Sequence, residues 1–206
     1  MTRYISLPND SIVVPEKIFL ARAGISPRGK IHQSLKEQME KAKDLCKELS
    51  ELKALYDTVD FEVIDEKKFK IEEKIFESRM VNTNFKGCTR VTLLVATLGD
   101  KVPDKIDTLF QNDQYSLAFL LDAFASEFLE YFVNRVNEFL RKDMLRKRWV
   151  GSKRISPGYE DLSLKFNAFI IQRLNTESKI GVKFIEDSYM LVPRKSITAL
   201  IGWKRF

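Results

Sequence analysis

The stretch RISPGYEDL, Arg154 to Leu162, gathers an arginine, a proline, a glycine and a tyrosine within six residues. A guanidinium can grip a carboxylate or a phosphate with a planar pair of donors. Pro157 fixes φ and Gly158 admits a positive φ, so the backbone turns tightly and its amide edges can approach a ligand. Tyr159 offers a ring to stack and a hydroxyl to donate. The same residues also suit an ordinary turn carrying a surface arginine, and spacing alone leaves both readings open.

A second constellation lies upstream. Asp122, Ser126, Glu130 and Asn134 recur every four residues, with Glu127 beside them, and so form a polar line on an otherwise apolar helix. A buried carboxylate is costly unless paired or bound. The line therefore faces either solvent or a cleft that takes a cationic or polyhydroxylated ligand. Other chemistries fall away. The one histidine, His32, opens an amphipathic helix and reads as a surface or capping residue. No HExxH, GxxxxGK[ST] or GxGxxG pattern occurs, which removes zincin, P-loop and Rossmann-type readings. A Ser-His-Asp or Cys-His mechanism would depend on His32. Cys46 and Cys88 form no CxxC pair and suit a reducing compartment; Cys46 continues the core spacing Leu35, Met39, Ala42, Cys46, Leu49.

These groups need elements to position them. VPEKIFLARAG reads as a short helix, with Pro15 near its start and Gly24 just past its end. An amphipathic helix is expected from about Lys30 to Leu55, then two extended segments around a turn at Glu66–Lys68. TRVTLLVATLGD has the pattern of a strand buried on both faces. A helix over KVPDKIDTLF precedes the longest one, from Gln114 to about Lys142, whose first half is apolar nearly all round and belongs at the centre of the fold. A helix over Leu162–Leu174 and two strands, VKFIEDSYML and SITALIGWKRF, complete the chain, with Ile197, Ala199, Ile201 and Trp203 on one face of the last. Helices are grouped and strands do not alternate with them. The expected class is α+β, a mainly antiparallel sheet packed with a long central helix and flanking helices, as one domain over 1–206.

The 206 residues are 44% apolar and 11% aromatic, enough for a real core and too apolar for a disordered chain. The start shows no signal-peptide pattern, and the most apolar run, YSLAFLL, is far shorter than the about 20 residues a membrane span takes. A cytoplasmic protein with no membrane partner is expected. The net charge of +6 is concentrated: LRKDMLRKRWVGSKR (140–154) holds seven Lys/Arg and one Asp. That segment is either a solvated helix end that suits the dipole or a docking face for an acidic partner. With Trp149 and Tyr159 it would also serve a nucleic-acid binder, but no RNP-type or helix-turn-helix pattern supports that reading.

KRISPGYEDLSL, followed some 25 residues later by FIEDSYMLVPRKSITALIGW, resembles the activation (reactivation) domain of vitamin B12-dependent methionine synthase. The resemblance rests on Arg154, Pro157, Gly158 and Tyr159, then Ser188, Met190, Pro193 and Ser196, and covers 89–206. The divergent part, 1–88, is similar to free-standing members found beside corrinoid-dependent methyltransferases. The resemblance implies a module that binds S-adenosylmethionine (AdoMet) and supports reductive remethylation of cob(II)alamin to methylcobalamin. It implies that Arg154 holds the methionyl carboxylate, that Ser156, Gly158 and Tyr159 line the adenosyl side, and that Glu127, with Glu130 as second choice, meets the amino group. Catalysis is then mostly positioning, with no catalytic acid or base in this chain. Two departures stand out. Glu160 occupies the place of a proline, and the chain lacks the DxHxxG corrinoid signature. Cobalamin is therefore expected only through a partner, a methionine synthase polypeptide lacking this domain, with flavodoxin or another one-electron donor. The alternative is a corrinoid-protein scaffold that no longer binds AdoMet.

Overall fold

The computed structural model describes residues 1–26 and 31–206. In chain order the elements are β1 (Arg3–Ser6), α1 (Glu16–Arg22), α2 (Gln33–Leu49), β2 (Lys53–Val63), β3 (Lys68–Ile71), β4 (Lys74–Glu77), α3 (Arg79–Asn84), β5 (Arg90–Thr97), α4 (Lys101–Gln111), α5 (Tyr115–Arg146), β6 (Trp149–Gly151), α6 (Phe166–Leu174), α7 (Thr176–Ile180), β7 (Lys183–Phe184), β8 (Leu191–Val192) and β9 (Ser196–Arg205). The main sheet runs β4-β3-β2-β5-β9-β6, with β1 also on β2, and every pairing is antiparallel. The class is the α+β one expected.

Both faces of the sheet are covered, which explains the apolar alternation on both sides of β5. Leu94 and Ala96 join Ala199, Ile201 and Trp203 against α1, α2, α4 and α5. Val91, Leu93 and Val95 join Leu200 against α3, α6 and α7. The side chains of Leu117, Leu121, Phe124, Phe128, Phe132 and Val136 make α5 the spine of the first layer. Trp203 is fully buried, and its indole N–H donates to Thr92 Oγ1 at 2.7 Å. Cys46 lies in the same core, as its spacing indicated.

Several boundaries differ from those the sequence suggests. The second helix stops at Leu49, not Leu55, because Ser50 terminates it and folds its hydroxyl back onto the Cys46 carbonyl (2.6 Å). The apolar residues that prolonged the helical stripe, Leu52 and Leu55, belong instead to the approach and the opening residues of β2, which pairs with β5. The expected start at Lys30 lies outside the described residues. The second extended segment is itself a hairpin, β3 and β4, turning through Glu72 at φ 53°. VKFIEDSYML is not one strand. It makes the two-residue strands β7 and β8, because the polar Glu186–Asp187–Ser188 run turns before the chain pairs back on itself. The helix expected from Leu162 begins at Phe166, after turns at 159–165. Among the described residues no helix is long and apolar enough to cross a membrane.

Candidate functional site

The short strand β6 covers only the C-terminal end of β9, from Trp203 to Arg205. Beyond it the chain leaves the sheet as the 152–165 loop, still tied to β9 at two places. Ser152 N–H donates to the Gly202 carbonyl (2.8 Å), while Ile155 and Leu200 exchange backbone hydrogen bonds at 3.0 and 2.7 Å. Arg141 on α5 clamps the start of the loop by donating to the carbonyls of Gly151 and Ser152. Ile155 points into the core. Side chains alternate along an extended segment, so Arg154 and Ser156 point the other way, toward α5.

The turn that follows needs its glycine. Gly158 sits at φ 89°, and a Cβ there would lie 2.9 Å from Leu164 Cδ2. Its N–H donates to the Leu162 carbonyl at 2.7 Å. The Gly158 amide thus closes the loop. Asp161 then fastens the loop to α3: its carboxylate accepts from Ser78 Oγ (2.6 Å), Arg79 N (2.6 Å) and Met80 N (3.2 Å). The Ser78 hydroxyl chiefly, with those amides, holds the Asp161 carboxyl below its ordinary value against the opposing effect of desolvation.

Two adjoining cavities flank this loop, the first against α3 and α5 and the second against α5, α6, β8 and β9, and they share Glu130, Ser156 and Tyr159 as walls. The first, about 240 Å³, is charged: Lys153, Arg154 and Glu160 line it with Met80, Asn84 and Ile155. The second, about 460 Å³, is mostly apolar, with Pro157, Leu164, Met190, Leu191 and Ile197 beside the polar Asn167, Ser196, Thr198 and Arg194. Asn167 is held in place, accepting from Thr198 Oγ1 (2.6 Å) and donating to the Tyr189 carbonyl (2.8 Å). Tyr159, Leu164 and Met190 stand exposed around the mouth.

Arg154 is the pivot. Its side chain is 19% exposed, and one terminal nitrogen, Nη2, donates to Glu130 Oε2 at 2.6 Å. The other, Nη1, is buried and makes no hydrogen bond to the described residues. A buried guanidinium nitrogen without an acceptor is costly, so a carboxylate that reached it would relieve a standing penalty.

The polar line of α5 divides between the two possibilities left open by its spacing. Lys195 Nζ reaches Asp122 Oδ1 (2.9 Å) and Ser126 Oγ (2.8 Å), Glu130 faces Arg154 in the cleft, and Asn134 is exposed. Glu127 does not enter the cleft. It turns toward α1 and pairs with Arg22 Nε at 2.6 Å. Three residues on, the helix rotates Glu130 into the groove, so the second choice of carboxylate is the one placed beside Arg154. Arg154, Ser156, Tyr159 and Glu130 are thus brought together; Gly158 shapes the turn without lining either cavity. Sequence reasoning did not find Met80, Asn84, Lys153, Asn167 or Thr198. Lys153 adjoins Arg154 and was visible within the basic run. Asn84 and Asn167 come from helices whose contact with the loop no local pattern discloses.

The donor set fits an elongated zwitterion with a nonpolar body: a guanidinium for a carboxylate, Glu130 and Glu160 for cations, and a larger apolar chamber next door. Among the described residues no group of three or more His, Cys, Asp or Glu could hold a metal ion. The basic 140–154 segment occupies the end of α5 and the β6 edge, where the guanidiniums of Arg90 and Arg205 each lie 5.8 Å from the centre of the Trp149 ring.

No family model matches the chain, and no curated protein matches it in sequence. Its fold is similar to that of a solved structure, the MetH reactivation domain bound to AdoHcy. The TM-score is 0.71 at 12% identity, over 98% of this chain and 78% of that one. The reactivation-domain fold expected from the Arg154 and Ser196 segments is therefore the fold observed.

Proposed function

We propose that this chain is an AdoMet-binding reactivation module acting in trans on a cobalamin-dependent methionine synthase polypeptide that lacks such a domain. The observation that carries the reading is Arg154, aimed from an anchored loop into a charged cavity with Nη1 unsatisfied, opposite a carboxylate of the central helix. The fold neighbour's ligand, AdoHcy, has the same amino-acid and adenosyl ends as AdoMet and supports the assignment. Arg154 would take the carboxylate and Glu130 the ammonium. The neck at Ser156 and Tyr159 leads to the apolar chamber, which would receive the adenosyl group.

AdoMet supplies the methyl group, and the partner's reduced cobalt supplies the nucleophile. This chain contributes binding and aim: it fixes both ends of the methyl donor and presents its sulfur at an open mouth. Proximity and orientation of this kind account for most of a rate without any proton transfer. The exposed rim of Tyr159, Leu164 and Met190 offers apolar surface for the partner to cover. The basic edge of α5 and β6 offers a docking face for flavodoxin or another acidic one-electron donor.

Mixing the protein with cobalt(II)-form methionine synthase, a reductant and methyl-labelled AdoMet tests the assignment. Label reaches cobalamin only when this chain is present. The scaffold reading, favoured by the fact that Glu130 already occupies one side of Arg154, predicts binding of the corrinoid protein with no labelling and no AdoMet affinity.

A further inference from the structure

We infer that the Arg154–Glu130 ion pair is an exchangeable resting pair that makes the site selective for ligands ending in a complete α-amino acid. The inference rests on the AdoMet-type reading above and adds the rule by which the site chooses its ligand.

The two residues are 24 positions apart in sequence and meet at 2.6 Å in the first cavity, with Arg154 19% and Glu130 35% exposed. Among the described residues each is the other's ion-pair partner, and Nη1 of Arg154 is left over. A ligand carboxylate that takes both terminal nitrogens of Arg154 in the planar fork must displace Glu130. Glu130 is then a half-buried carboxylate beside a second carboxylate, which is unfavourable on both counts. An ammonium on the carbon next to the ligand carboxylate removes the difficulty. It accepts Glu130 as its own partner, so one ion pair becomes two and no charge is stranded.

Ligands with a carboxylate but no amine leave Glu130 unpaired, and ligands with neither do not open the pair. The other charged walls, Lys153 and Glu160 of the first cavity and Arg194 of the second, are all exposed, and Arg194 is already paired with Asp107 at 2.6 Å, so they impose the rule less strongly. A rival arrangement is open to the same pair. Glu130 could stay on Nη2 while Nη1 alone takes the ligand oxygen. It makes Glu130 an orienting group for Arg154 and demands no amine.

The two are separated by titrating wild type and Glu130→Gln with AdoHcy and with its des-amino counterpart, in which hydrogen replaces the ammonium and the carboxylate is kept. Exchange predicts that wild type prefers AdoHcy at least tenfold. It predicts that Glu130→Gln narrows the preference to threefold or less, mainly because the des-amino ligand binds better to the variant. Equal affinities for the two ligands in wild type, or an equal weakening of both in Glu130→Gln, overturn the exchange and leave the AdoMet-type site standing. Failure of wild type to bind AdoHcy and AdoMet alike instead removes the site itself.

Discussion

Ile155 and Leu200 exchange two backbone hydrogen bonds, at 3.0 and 2.7 Å, where the loop after β6 crosses the uncovered edge of β9. This bridge decides which way Arg154 faces. With Ile155 committed to the core, the residues on either side of it must project toward α5. The direction of the guanidinium is thus set by sheet pairing, a more rigid constraint than the turn itself supplies.

Gly158→Ala should damage the loop directly. A side chain at φ 89° is strained, and the added Cβ meets Leu164 Cδ2 at 2.9 Å. A loss of about 1–3 kcal/mol is expected in denaturant unfolding, together with weaker ligand binding. A loss no larger than at an ordinary surface position would show that the turn relaxes freely.

Asp161 ties the loop to α3, and Asp161→Asn should cost about 1 kcal/mol near neutral pH, as loss of a helix-capping acceptor does. Its carboxyl titrates lower in the folded chain than in the unfolded one, chiefly through the Ser78 hydroxyl. Its stabilising contribution is therefore complete above the unfolded value and disappears as pH falls through the folded one. Unfolding curves of wild type and Asp161→Asn should converge below pH about 4. A difference unchanged at pH 3 would place the effect elsewhere.

Cys46 should be inert in the native protein. Burial pushes its thiol up to about 12, outweighing the opposing hydrogen bond with Ser50 and the nearby Lys195 and Lys47. Burial also raises Cys88. Alkylation at pH 8 should proceed only on unfolding, because the thiolate is the reactive species. Rapid labelling of folded protein at Cys46 would contradict the packing described.

Reversing charge at Arg148 and Lys204, both exposed on the β6–β9 edge, should weaken capture of an acidic electron donor while leaving AdoMet affinity intact. The effect should be largest at low salt and fade as ionic strength rises. A variant that loses AdoMet binding instead would link this edge to the ligand groove.

The long-range architecture was legible where patterns were long. The apolar surround of α5, the two-sided burial of β5 and the alternation Ile197–Ala199–Ile201–Trp203 each fixed an element and its face. Short elements carried too few residues for a period to emerge: β1, α3 and β6 went unread, and β7 and β8 merged into one strand. In the site, Arg154 and Tyr159 were legible from local composition, while Ser156 came only with the family resemblance. The choice between Glu127 and Glu130 was not, because it depends on Arg22 lying beside α5, a contact across 105 residues. The closure of the turn by the Gly158 N–H on the Leu162 carbonyl was likewise not legible from local composition.

Arg154 is proposed to receive the carboxylate of an AdoMet-type ligand. Calorimetric titration of wild type and Arg154→Ala with AdoMet, alongside thermal melts of both, tests it most directly. Saturable binding to wild type that weakens at least about 30-fold in the variant, as expected when one partner of a desolvated charge pair is removed, with the fold retained, is the predicted result. No heat with wild type, or the same affinity in both proteins, would contradict it.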